Sequence, residues 1–377
     1  MNYKKLSIGL FFAIIVLLPT ATFLLPKDTF SEMENRMLAK PPNFSFNNFQ
    51  NKTFMNDWES FISDHMVFRN EFASAKTKLE LLQGRREVNG VFISNNMLLE
   101  KINEPTEAIT NSNIDAMNKF AAKYKGKLET SVMLVPTASE VYTSQIPELV
   151  NVQNQTKYIK DYYAKLKNIN TIDTCTPLAA VAENNYVFYR TDHHWTSYGA
   201  YIGYAAMGKQ LGFKPVTIDM FNIEHTTQDF LGTLYSKVIY GEKLADKIDI
   251  YYLKSEVVTD VIKYTAKNTQ TYPSILFREN LEKKDKYTVF LGGNDPVVRI
   301  KTNVKNGKKI IIFKDSFAHS LMQFLPLHYE EIALIDLRYL NKPLDEYIDM
   351  KEYQQALFMY NMAGFVSDGT VKKVSTY

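Results

Sequence analysis

The sequence predicts an α/β protein with a central, mostly parallel sheet, preceded by a single membrane-spanning helix. Unbroken apolar runs at Ser131–Val135, Lys309–Phe313 and Ile332–Asp336 suit strands buried on both faces of a sheet. Helix-period stretches lie between them, and strands alternating with helices define the class. Ahead of both, Leu6–Leu25 is apolar almost throughout. At 1.5 Å per residue, about 20 residues reach across a bilayer core.

The elements follow in order. Lys4 and Lys5 precede the apolar stretch and predict a cytoplasmic N-terminus, with the rest of the chain exported. Thr20-Ala21-Thr22 is a poor cleavage site and Phe23-Leu24-Leu25 continues the apolar run, so an uncleaved signal anchor is expected over 1–26. Residues 27–88 read as an extended linker to about residue 50 and then a helical segment, with Phe54, Trp58, Phe61 and Ile62 on one face. Residues 89–377 form the catalytic domain in this reading. It opens with a turn at Asn89-Gly90 and a short strand at Val91–Ile93. An amphipathic helix follows over 106–125, then the Ser131–Val135 strand, a helix at Tyr158–Lys167, a short strand at Thr171–Thr174 and a helix at Tyr198–Leu211. Residues 213–290 read as irregular, with strand-like alternation at Ile248–Leu253 and Tyr287–Leu291. After the Lys309–Phe313 strand come a helix at Met322–Leu327, the Ile332–Asp336 strand, and Tyr353–Tyr360 as a helix running into a strand.

Composition narrows the function. Lys+Arg 44 against Asp+Glu 41 leaves +3, too weak a field to argue for nucleic acid. The single cysteine, Cys175, excludes an internal disulfide and a CxxC metal or redox site.

In open α/β sheets the active site lies beyond the C-terminal strand ends. Directly after the Lys309–Phe313 strand stands Lys314-Asp315-Ser316, with His319 three residues on. A serine lifted off a strand end into a helix start is a nucleophile geometry, because the helix N-terminus offers N–H groups and a favourable dipole to an oxyanion. The same residues also suit a plain helix cap. The second cluster is Arg190-Thr191-Asp192-His193-His194-Trp195-Thr196. In Asp-x-His a carboxylate can fix the tautomer of an imidazole base. The cluster also admits a metal site of Asp192, His193, His194 and His319, or a structural turn. No good acidic partner for a metal stands elsewhere, so neither metal nor cofactor is expected. Asp192, His194 and Ser316 together make a plausible acyl-transfer set, since triads occur in any chain order.

Thr191-Asp192-His193-His194-Trp195-Thr196 resembles the signature of the DHHW family of bacterial surface proteins. So do Ser31–Arg36, Val135-Pro136-Thr137, Phe230-Leu231-Gly232-Thr233, Lys314-Asp315-Ser316-Phe317 and Ile335–Tyr339. That family is similar to the alginate O-acetylation proteins of the AlgX and AlgJ type. The resemblance implies an SGNH-hydrolase-like three-layer fold, circularly permuted so that Asp-x-His precedes the serine. It implies Asp192 as orienting acid, His194 as base and Ser316 as nucleophile, with His193 outside the triad. One departure is Lys314, where the SGNH pattern usually has glycine before Asp-Ser. The oxyanion hole would draw on Gly293 and Asn294, although Gly292-Gly293 equally suits a tight turn. Arg190, Trp195 and Arg338 are candidates for contact with a sugar or its carboxylate, although Trp195 equally suits the core and Arg338 an ion pair.

The expected function is a membrane-anchored, extracytoplasmic O-acyltransferase acting on an exopolysaccharide or cell-wall glycan, supplied by a membrane-bound acyltransferase partner. A carbohydrate esterase using the same triad, and a catalytically silent glycan-binding subunit, are the alternatives at this stage. An unperturbed imidazole base would make the rate rise through pH 6–7.

Overall fold

The computed structural model describes residues 3–148, 150–253, 257, 259–265 and 268–376; Met1 and Asn2 of the basic leader lie outside them. The apolar stretch is one helix, Tyr3–Leu24, of 22 residues. It is long and apolar enough to cross a membrane.

An eight-stranded sheet organises the rest. Its strands are β1 (Glu129–Val135), β2 (Asn170–Ile172), β3 (Thr259–Tyr264), β4 (Thr269–Tyr272), β5 (Val297–Thr302), β6 (Lys309–Lys314), β7 (Glu331–Ile335) and β8 (Gln355–Asn361). Their order across the sheet is β4-β3-β5-β7-β6-β8-β1-β2. The five strands from β7 to β2 pair in parallel. The three at the other edge pair antiparallel. The three apolar runs of the sequence are β1, β6 and β7, all inside the sheet. Period-two alternation gives the sheet two cores. Ile310, Ile312, Leu334, Leu357 and Met133 face one. Ile311, Phe313, Ala333, Phe358 and Val132 face the other. The helix Ser197–Leu211 covers the first through Ala200, Tyr204 and Met207, and the helix Glu107–Lys123 covers the second through Ile114, Met117 and Phe120. The result is three layers.

Several elements differ from expectation. Residues 27–50 are not extended: they hold a hairpin, Phe30–Ser31 with Arg36–Met37, and a short helix, Phe46–Gln50. An ion cluster folds them back, because Glu34 and Asp64 share Arg36 and Arg69. The helical segment after residue 50 is two helices, Thr53–His65 and Arg69–Leu82, broken where Phe68 takes a φ of 61°. The Tyr158–Lys167 helix lies at Gln155–Tyr163. The region 213–290 contains an antiparallel ribbon, Phe221–Phe230 against Asp246–Leu253, as well as β3 and β4. Tyr287–Leu291 is not a strand but a 3-10 turn, Lys286–Val289; Tyr287 and Val289 are buried in a cluster with Tyr189 and the ribbon residues Phe230, Ile248 and Ile250. β5 went unrecognised because its polar residues Arg299 and Lys301 interrupt the apolar pattern. Met322–Leu327 is not one helix: a single helical turn, Ala318–Leu321, precedes a 3-10 turn at Leu325–Leu327. Tyr353–Tyr360 has no helix; Gln355–Asn361 is strand throughout.

Candidate active site

β6 ends at Lys314, and Ser316 stands just beyond it at the C-terminal edge of the parallel strands. The turn is held by Asp315, which is buried. Its Oδ1 accepts the Phe317 N–H (2.9 Å), and its Oδ2 accepts the Asn361 N–H and Nδ2–H (both 2.7 Å) from the end of β8. Nothing bonds to the Ser316 N–H among the described residues, while the Ser316 carbonyl accepts the Tyr287 hydroxyl (3.1 Å). The helix after Ser316 has only four residues, so the dipole expected to assist an oxyanion is slight.

The other half of the site is the loop between Phe188 and Trp195, which are joined by an antiparallel bridge. Asp246, on the long ribbon, pins this loop by accepting the N–H groups of Arg190 (2.7 Å) and Thr191 (2.8 Å) and the hydroxyl of Tyr186. Burial pushes the Asp246 carboxyl up to about 6. Trp195 locks the two halves together: its indole N–H reaches the Phe317 carbonyl (3.0 Å) and the Ser320 hydroxyl (2.9 Å), 125 residues away.

The two halves converge. His194 Nε2 lies 2.7 Å from Ser316 Oγ, and His194 Nδ1 lies 2.6 Å from Asp192 Oδ1. Asp192 is saturated. Its Oδ1 also accepts the His194 N–H (2.9 Å), and its Oδ2 accepts the N–H (2.8 Å) and hydroxyl (3.0 Å) of Thr233. Burial alone would raise the Asp192 carboxyl, but the two neighbouring imidazoles and these donors hold it well below the usual carboxylate range. It is therefore ionised, accepts the Nδ1–H of His194, and leaves Nε2 as the acceptor facing Ser316. His194 is pushed down to about 4, first by burial and then by His193, against the pull of Asp192. It is therefore neutral at pH 7. Tyr287 stacks flat on the His194 ring, with centroids 3.7 Å apart and planes at 8°, and closes one side.

The remaining candidates fall in different places. His193 turns away from Ser316: its Nδ1 lies 2.6 Å from the Thr233 hydroxyl, which in turn donates to Asp192. Donor atoms of Asp192, His193 and His194 lie within 4.8 Å of one another, the spacing of a partial metal cluster. Both ring nitrogens of His194 are already committed to Asp192 and Ser316. Trp195, which suited a sugar contact or the core equally, is fully buried. Arg338 forms a fork with Asp336 (2.9 and 2.7 Å), as the ion-pair alternative requires, and its side chain still reaches solvent. Arg190 is exposed, with its guanidinium over the Tyr186 ring. Gly292 and Gly293 take φ values of 71° and 117° in the turn that leads into β5. No hydrogen bond joins Gly293 or Asn294 to Ser316, His194 or Asp192 among the described residues.

Lys314, the residue that departs from the SGNH pattern, is 1% exposed and lies 2.7 Å from His319 Nε2 and 3.5 Å from Asp336. Burial lowers both its pKa and that of His319. A neutral His319 accepting from Lys314 is thus part of the floor beneath Ser316. Sequence reasoning missed Thr233, Tyr287, Asp246 and Asn361. Gly232-Thr233 carried a signal, since that segment had family likeness; a Cβ on Gly232 would fall 2.2 Å from Asp192 Cβ. The segment after the N-terminal helix also comes here: Asn35 Nδ2 donates to Asp285 (3.4 Å), a carboxyl pushed up to about 6 by burial and by Asp192.

The chain belongs to the DHHW family, whose model matches residues 101–335, both halves of the site included. A search of curated proteins returned no match. Among solved structures it is similar to a DHHW family protein from Eubacterium siraeum, at 24% identity and TM-score 0.66, covering 76% of this chain and 96% of that one. It is also similar to Bacillus cereus PatB1 with a sulfonyl adduct, at 17% identity and TM-score 0.62, covering 74% and 96%. The O-acetyltransferase domain of Pseudomonas putida AlgJ aligns at 14% identity and TM-score 0.48, covering 76% and 99%. The first two likenesses show the mixed α/β fold with its large, mostly parallel sheet.

Proposed function

We propose that residues 89–377 form a serine O-acyltransferase of the SGNH-like kind, in permuted order, acting on a hydroxyl of an exopolysaccharide or cell-wall glycan outside the cytoplasm. The observation that carries this reading is the unbroken chain from Asp192 through His194 to Ser316, at 2.6 and 2.7 Å. PatB1, seen with a sulfonyl adduct, agrees with the class of chemistry.

In this mechanism Ser316 Oγ attacks the acyl carbonyl carbon while His194 Nε2 takes its proton. The oxyanion meets the free Ser316 N–H, with Gly293, Asn294 and Asn361 as candidate second donors. The C–O bond to the donor's leaving group breaks, and His194 returns the proton to it. A sugar hydroxyl then enters, gives its proton to His194 and attacks the acyl-serine. Ser316 Oγ leaves and recovers that proton, so no cofactor is consumed. Asp192 stabilises the imidazolium in both halves. The N-terminal helix anchors the enzyme, and a membrane-bound acyltransferase would supply the acyl group. Arg190 and Arg338 would meet the glycan.

The test is a chromogenic acetyl ester with and without a glycan acceptor. The reading expects a burst, acetyl on Ser316 by mass spectrometry, and acetylated sugar when acceptor is added. Turnover that ignores every acceptor and yields only acetate would make the protein an esterase.

A further inference from the structure

The helix Tyr3–Leu24 is about 33 Å long at 1.5 Å per residue, just over the thickness of a bilayer core of roughly 30 Å. If its N-terminus lies at one face, Phe23 and Leu24 arrive at the other. There the chain does not simply depart. Phe23 stacks on Trp58 of the helix Thr53–His65, with centroids 6.3 Å apart. Thr22 is buried and accepts the Val67 N–H (3.3 Å), and His65 Nε2 lies 3.1 Å from the Asp28 carbonyl. These contacts seat the helix Thr53–His65 against the end of the apolar helix.

An aromatic surface continues outward from that junction. Trp58 stacks on Phe54, Phe54 meets Phe44 edge-on, and Phe44 lies against Phe49. Phe44, Phe46, Phe49 and Met55 are all more than half exposed. The short helix Phe46–Gln50 carries no charge at all. In the helix Thr53–His65 the 100° rule puts Phe54 and Trp58 about 40° apart, with Asp57 and Asp64 on one flank and Glu59 on the other. One aromatic stripe, flanked by charges and fixed at the level where a spanning helix leaves the hydrocarbon, matches the chemistry of the lipid headgroup–acyl boundary, which favours amphipathic rings with polar groups beside them. A soluble domain seldom leaves so much contiguous apolar surface in water.

We propose that Phe44, Phe46, Phe49, Met55 and Trp58 lie in the interface of the leaflet from which the chain emerges, so that the protein rests on the bilayer as well as being tethered to it. The inference depends on the anchoring reading above. It has a functional consequence. Asn35 is ten residues beyond Leu25, so it lies within roughly 35 Å of the bilayer surface, and it contacts Asp285, which interacts with Asp192 and His193. A hovering, surface-bound site of this kind suits an acyl group delivered from the membrane.

The two tryptophans make the test direct, because Trp58 is on the surface and Trp195 is fully buried. The full chain is reconstituted in phosphatidylcholine–phosphatidylglycerol vesicles carrying spin-labelled lipids, with the nitroxide either at the headgroup or deep in the acyl chain. The expected result is that the shallow label quenches a large share of the fluorescence, the deep label much less, and that Trp58→Phe removes the quenched component while the Trp195 emission remains. A Trp58 emission untouched by either label overturns the proposal, whether water-soluble iodide reaches the ring or a protein partner covers it. Flotation separates the two readings. Protein that floats with vesicles but shows no lipid quenching keeps its anchor and loses its resting face, whereas protein that fails to float loses both.

Discussion

Gly232 carries no side chain and no chemistry, yet its replacement by alanine is expected to disable the site. Its φ of −83° is open to any residue, so backbone strain plays no part. The obstacle is space: an added Cβ would sit 2.2 Å from Asp192 Cβ and 2.5 Å from Asp192 Oδ2, where ordinary contact begins at 3.4 Å. Relief of about 1.2 Å has to come from the loop or from Asp192. Asp192 is buried and held by four donors, so moving it breaks the contacts to Thr233 or the one to His194. A misplacement of about 1 Å in a catalytic constellation costs on the order of a hundredfold in rate. Losing the orienting carboxylate altogether costs up to about ten-thousandfold. Overpacking a tight core adds roughly 1–3 kcal/mol of destabilisation. The assay is hydrolysis of a chromogenic acetyl ester alongside a thermal melt, with Asp192→Asn as the reference for a site that is intact but wrongly charged. Gly232→Ala is expected to lose between about a hundredfold and the roughly ten-thousandfold of Asp192→Asn in rate, with a modest drop in melting temperature. Near-native turnover with an unchanged melt would show that Asp192 is not held where the steric argument places it, or does not serve His194.

Ser316→Ala, His194→Ala and Asp192→Ala should each remove most acyl transfer, and the double variants should be little worse than the singles, because the three act as one unit; additive losses would argue for independent roles. The pH profile should depart from that of an ordinary histidine. With His194 pushed down to about 4, the base is already neutral near pH 5, so the acid limb of kcat/KM is expected near pH 4 instead of through 6–7, and a limb at 6.5 would contradict the buried, Tyr287-covered ring. Chelators should leave the rate unchanged, since both His194 nitrogens already have partners; loss restored by added zinc would move Asp192 and His194 into ligand roles. Lys314→Met leaves Asp336 still forked to Arg338 but takes the donor from His319 Nε2, and a destabilisation of roughly 1–3 kcal/mol is expected from denaturant titration, the cost of an unsatisfied buried acceptor.

What could be read from the residues alone was whatever local pattern dictates. Apolar runs too long and too unbroken for a half-exposed strand, as at Ile310–Phe313, have nowhere to go but the middle of a sheet, and a serine at the end of such a strand lies at the sheet edge where ligands bind. The Asp-x-His spacing put the carboxylate within reach of its imidazole because both belong to one loop. The length and apolarity of Tyr3–Leu24 are likewise local. Partnerships over long separations were decided only by the tertiary structure. Ser316 and His194 stand 122 residues apart and meet because β6 ends where the ribbon, through Asp246, holds the Arg190–Thr191 backbone. The fate of single side chains was decided there too. Trp195 reads as readily as a sugar platform as it does a core residue until the Phe317 carbonyl and Ser320 hydroxyl are found above its indole N–H. Lys314 reads as a defect in a motif until Asp336 and His319 surround it. The strands β3, β4 and β5 were invisible because an antiparallel edge tolerates polar residues, so their pairing follows from their neighbours more than from their own pattern. Alternation at Tyr287–Leu291 misled for the converse reason: Tyr287, Val289, Phe290 and Leu291 are all buried by what packs on them and not by a strand's pleat, and a 3-10 turn laid Tyr287 across His194.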